Sequence, residues 1–148
     1  MVKADTRAAI ETLVTEFSFL VDHGHATDVP DLFIEQGTFE SPAARLQGKA
    51  ALTAAMAQRA KAVHQTRHAI GNLRLTAVSA DQIRGNVLLT MYRWMPGETA
   101  GPHPIALMEY EDVYQRDRNG EWRFASRKVI PVLPPAIQDD QTKQEKPQ

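Results

Sequence analysis

Cysteine is absent from the 148 residues, which excludes disulfides, thiol nucleophiles and cysteine-based zinc sites together. An excess of one charge is lacking too. Lys and Arg number 17 and Asp and Glu 18, a net charge of −1. The chain therefore has no electrostatic footprint for nucleic acid or for an anionic membrane surface. No apolar run reaches the ~18 residues of a membrane span. The N-terminus, MVKADTRAAIETL, lacks the apolar core of a secretory signal, so a soluble cytoplasmic protein is expected. Gly-rich phosphate loops and a G-x-S-x-G elbow are also missing. Ser18, Ser41, Ser79 and Ser126 stand in no such context. No internal repeat is visible.

What is present is ordinary for a globular domain: 43% hydrophobic and 24% charged residues, in a length that suits one core. Residues 5–23 place Ile10, Leu13, Val14, Phe17, Leu20 and Val21 at helical spacing, with Asp5 or Thr6 to cap the start and Gly24 to end it. Asp28 and Pro30 predict a short second helix through Phe33. Residues 38–40 suit a short strand, and 42–48 read as a loop. Residues 49–63 are rich in strong helix formers and predict a third helix. After Thr66 the period changes from 3.6 to 2. Residues 67–78, 83–95, 104–117 and 121–132 read as strands of an antiparallel meander. Helices followed by a meander imply an α+β layer pair. Residues 1–133 form the expected domain. Residues 134–148, PPAIQDDQTKQEKPQ, form an expected polar tail.

Within TRHAIGNLRL, alternation puts His68 and Asn72 on one strand face with Ile70 between them. Such a row either runs along solvent or lines a pocket. On the next strand, Tyr92, Trp94 and Leu88 share one face, and Met91 and Arg93 the other. The sequence does not choose between them. Phe17, Trp94 and Met108 suit a cavity wall or a packed core equally. Leu73, Leu75, Leu88, Leu89, Val113 and Val129 exceed what one covered sheet face needs, which predicts a homodimer or higher homo-oligomer. His23 and His25, and His64 and His68, have spacings seen in metal sites, but no third ligand follows; no metal is expected.

The order of elements, with LVDHGHATDVPDLF, LQGKAAL, RHAIGN, VSADQIRG and GEWRF in sequence, resembles the SnoaL-like branch of the NTF2-like superfamily, in particular its scytalone dehydratase and bile-acid dehydratase type. The resemblance covers about residues 5–132. It implies an NTF2-like cone (a cystatin-like α+β roll), in which a curved antiparallel sheet is wrapped by three N-terminal helices around an apolar pocket. Asp22 matches the family's supporting aspartate, and His68 its strand histidine. Arg93 stands at the position of a second histidine. Phe17 stands where the bile-acid enzymes have a tyrosine. Arg127 matches a last-strand arginine, although as a residue it equally suits a surface ion pair.

These matches make His68 the expected acid–base group and Asp22 its orienting partner. Asn72, Tyr92, Arg93, Tyr110 and Arg127 are candidate donors to a developing enolate oxygen. Phe17, Trp94 and Met108 are candidate apolar walls. The expected activity is cofactor-free dehydration or isomerisation of an apolar, carbonyl-bearing cyclic, polyketide-like or steroid-like substrate. The alternative is an NTF2-like protein that only binds a small ligand or serves assembly.

Overall fold

The computed structural model describes residues 1–99, 101 and 104–133. The expected tail, 134–148, lies outside them. Helix α1 spans Ala4–Asp22. It starts one residue before Asp5, so Asp5 belongs to the first turn rather than capping it. Ile10, Leu13, Val14, Phe17 and Leu20 are buried along one stripe, which faces the sheet. A 3-10 helix, Ala26–Leu32, replaces the short second helix. Helix α2, Lys49–Ala60, follows. It ends before the predicted residue 63, because β3 already begins at Gln65.

The strands are β1 (Phe33–Ser41), β2 (Ala44–Gln47), β3 (Gln65–Ala77), β4 (Gln82–Trp94), β5 (Ala106–Arg116) and β6 (Trp122–Leu133). They form one curved, unclosed sheet of six strands in the order β2-β1-β6-β5-β4-β3. The meander β3–β6 is antiparallel as expected. The sheet differs from the expectation at its other end. β1 is long and runs parallel to β6, and the predicted loop contains β2, paired antiparallel to β1. β2, Ala-Arg-Leu-Gln, places only Leu46 against the core. Backbone pairing defines it, and no apolar alternation announces it.

The core lies between α1 and the concave sheet face. Phe17 meets Phe33, Tyr110 and Phe124 edge-on and stacks with Phe39, at centroid distances of 5.8–6.3 Å. Burying a side chain of this size stabilises by roughly 1.5–3 kcal/mol. Gly85 of β4 leaves room for the Tyr114 ring; a Cβ there would lie 2.7 Å from Tyr114 Cε2. Register settles the faces of β4. Met91 pairs with His68 and Leu89 with Ile70, whereas Tyr92 pairs with Arg67. Met91 and Leu89 therefore look inward with His68, and Leu88, Tyr92 and Trp94 look outward. Of the apolar residues assigned above to a surplus, Leu73, Leu75, Leu89 and Val129 pack on the inner core. Leu88 and Val113 remain on the outer face.

Candidate active site

Asp22 is the last residue of α1. The helix stops there because Gly24 takes a left-handed conformation, φ 82°, and the His25 N–H closes back on the Leu20 carbonyl at 2.8 Å. An acid at a helix C-terminus opposes the helix dipole, so Asp22 needs donors from elsewhere, and β3 supplies them. Asp22 Oδ2 accepts the backbone N–H of His68 at 2.8 Å. Oδ1 accepts the Thr66 hydroxyl at 2.8 Å and stands 2.5 Å from His68 Nδ1. The two side chains are 5% and 10% exposed.

An ionised carboxylate has only acceptors, so the proton of this contact sits on Nδ1. That leaves Nε2 as the ring's free lone pair in the neutral imidazole, and Nε2 has no partner among the described residues. Burial pushes the Asp22 carboxyl up. The His68 ring, the His68 N–H, the imidazole's charge and the Thr66 hydroxyl outweigh that and hold it below the ordinary 3.8. The arrangement can orient a base and stabilise the cation formed when the base takes a proton.

Arg127 is fully buried and paired, not a surface residue. Its Nε donates to Asp112 Oδ1 at 2.8 Å and its Nη2 to Oδ2 at 2.7 Å. The Tyr114 hydroxyl also donates to Oδ2, at 2.7 Å. The guanidinium lies over three rings, 3.8 Å from Tyr110, 4.3 Å from Phe124 and 4.5 Å from Phe17. Burial pushes the Arg127 guanidinium down, and Asp112 more than restores it. Nη1 is buried with no partner among the described residues, as is Ser18 Oγ. Tyr110 is buried beside the guanidinium. Burial, offset in part by Arg127, raises its phenol to about 12; the charges of Asp112 and Asp22 add to the rise.

The other predicted site residues divide. Met108 is half-buried against the core. Arg93 pairs in register with Thr66, on the His68 face, and is exposed. Tyr92 and Trp94 lie on the opposite face, where Trp94 packs under the Arg67 guanidinium, so they do not join the site. Asn72 does not continue the His68–Ile70 row. The register shifts between Gly71 and Arg74, Asn72 takes φ 52° and is exposed, and Leu73 turns inward in its stead. A bulge breaks the alternation from which its face was predicted. His23 stacks on Phe19 and its Nδ1 meets the Phe19 carbonyl at 2.9 Å.

Three residues escaped the sequence reading. Asp112 stands between Tyr110 and Tyr114 in one period-2 row, a charge among inward aromatics, which is a usable signal. Thr66 precedes His68 by two, so the same alternation reaches it. Arg59 on α2 left none. It donates from Nη2 to the Thr66 hydroxyl at 2.9 Å. Asp22, Thr66 and Arg59 also line a cleft of about 310 Å³ with Val21, Val63 and His64. His68, expected to face the pocket, is not among its lining residues, and neither are Phe17, Trp94 and Met108, the expected walls.

The SnoaL-like domain family matches residues 2–128. Comparison with curated proteins finds no match. Among solved structures, the chain is similar to a protein provisionally assigned as a scytalone dehydratase from Novosphingobium aromaticivorans, with 19% identity, 86% of this chain and 84% of that one covered, and a TM-score of 0.75. It is similar to ActVI-ORFA from Streptomyces coelicolor, with 20% identity, coverage of 87% and 98%, and a TM-score of 0.76. It is also similar to the β subunit of a provisionally assigned aromatic-ring-hydroxylating dioxygenase from N. aromaticivorans, with 19% identity, coverage of 84% and 87%, and a TM-score of 0.74. At such identities the likeness is one of fold.

Proposed function

The chain belongs to the SnoaL-like domain family, and on that footing we propose that it is a cofactor-free acid–base enzyme, a dehydratase or isomerase of an apolar, carbonyl-bearing cyclic small molecule. The observation that carries this reading is the 2.5 Å contact of His68 Nδ1 with Asp22 Oδ1. It is a contact between two nearly enclosed groups, of the kind that fixes a general base.

In this reading, His68 Nε2 removes a proton from the carbon next to the substrate carbonyl. The C–H pair becomes the C=C of an enolate, and the carbonyl oxygen takes the charge. Asp22 stabilises the imidazolium. The imidazolium then returns the proton. Given to a β-hydroxyl, the proton leaves with it as water, the C–O bond breaks and an enone remains. Given to a distant carbon of a conjugated enolate, it yields the isomer. Arg127 Nη1 and the Tyr110 hydroxyl are the donors proposed for the oxygen. The protein acts as a homodimer through its outer sheet face.

Proton exchange tests this whichever compound is the natural substrate. A panel of cyclic ketones and β-hydroxyketones is incubated in D₂O, and exchange of the α-protons is followed by NMR. Wild-type protein should exchange at least one compound. His68→Ala should slow that by about 10²–10⁴-fold, the usual worth of a general base, with its circular dichroism unchanged. Asp22→Asn should cost less, because the base survives with a poorer orientation. Equal rates in wild type and His68→Ala would overturn the reading. Tight binding without exchange would favour a ligand-binding protein instead.

A further inference from the structure

We propose that Thr66 and Arg59 are positioning residues: Arg59 fixes the Thr66 hydroxyl so that its proton goes to Asp22, which holds the carboxylate in one orientation against the His68 ring. This rests on the acid–base reading of the site.

The geometry leaves the hydroxyl little choice. A threonine hydroxyl has one proton to give and two lone pairs. A guanidinium only donates, so in the 2.9 Å contact with Arg59 Nη2 the Thr66 oxygen is the acceptor. Its own proton is then directed to the other neighbour, Asp22 Oδ1, at 2.8 Å. Thr66 is 4% exposed, and its branched Cβ restricts χ1. Asp22 thus receives three donors, from the Thr66 hydroxyl, the His68 ring and the His68 N–H. Together they fix the carboxylate plane.

The intervening hydroxyl matters. A direct Arg59–Asp22 pair would occupy acceptor positions that the imidazole needs, and its guanidinium would bind the carboxylate in both oxygens' plane. Placed one hydroxyl away, Arg59 sets the direction of a hydrogen bond without competing for the oxygen. It also reaches this position from α2, the element that closes the cleft beside the pair, so three separate elements fix one carboxylate.

The titration of the Asp22 carboxyl, followed by carbon-detected NMR in ligand-free protein, tests this. Thr66→Val should move its midpoint up by on the order of half to one unit, the worth of one lost hydrogen bond. Thr66→Ser, which keeps the hydroxyl, should restore the wild-type curve. Arg59→Met should move the midpoint upward as well. Wild-type midpoints in both Thr66→Val and Arg59→Met would overturn the proposal. Should Thr66→Val not fold, Arg59→Met decides alone, with an unchanged midpoint counting against it. Because no substrate enters the measurement, a failed relay does not touch the acid–base reading. An intact relay in a protein that exchanges no substrate would overturn that reading alone.

Discussion

Arg127 and Asp112 face each other across β6 and β5 with two parallel hydrogen bonds, 2.8 and 2.7 Å long, and neither side chain is reached by solvent. Such a pair adds little beyond a well-packed apolar pair, but removing one partner strands the other charge. Asp112→Ala should therefore cost about 3–5 kcal/mol of stability. The double variant Asp112→Leu with Arg127→Met should recover most of that. Urea unfolding of the single and double variants checks both statements; additive losses would contradict them.

The Asp22 carboxyl is held below 3.8 in the folded chain. A depressed carboxyl stabilises the fold above its unfolded value, and that contribution is lost as pH falls through the folded one. The melting temperature of wild-type protein should therefore fall between about pH 5 and pH 2 more steeply than that of Asp22→Asn. Parallel curves would mean that the pair contributes nothing to acid stability.

The alkaline side has the opposite sign. Burial raises the phenols of Tyr110, to about 12, and of Tyr114, further still. A raised group stabilises the fold below its unfolded value of 10, and the benefit disappears as pH rises through the folded one. Phenolate absorbance of these two rings should appear only together with unfolding, as one cooperative step. Tyr110→Phe should reduce the amplitude of that step. Gradual ionisation in folded protein would show that the rings are accessible.

The outer sheet face carries Leu88, Tyr92 and Trp94, each half-buried in a single chain. Light scattering should give about twice the 16.5 kDa of one chain, and Trp94→Glu should dissociate it. A 16.5 kDa species at high concentration would contradict the dimer.

Much of this was legible because burial imposes a period. The α1 stripe and the β3–β6 strands declare themselves by spacing alone, and Gly24 marks the helix end that places Asp22. Of the β1–β2 pair only residues 38–40 were legible; the length of β1 and the whole of β2 were not. Its order comes from backbone pairing to β6 and to itself, and its side chains alternate too weakly to show it. At the site, Asp22 and His68 are 46 residues apart, so only the family resemblance joined them. Asn72 was misplaced because a bulge shifts the period at the very residue in question. Arg59 was invisible, since a lone arginine late in a helix carries no mark of the hydroxyl it meets.

The placement of β3 at the end of the strand order has a bearing on solubility. A terminal strand of 13 residues offers a row of backbone groups that a second chain can join to grow a fibril. Here side chains occupy that row. Asp22 takes the His68 N–H, Arg67 covers the Thr66 carbonyl, Arg7 of α1 takes the Leu73 carbonyl at 3.0 Å, and the bulge from Gly71 to Arg74 breaks the spacing between them. An incoming strand finds no regular ladder to extend. The carboxylate that aims the imidazole thus also guards an aggregation-prone margin, and losing it would expose the chain to self-association as well as disorder the site.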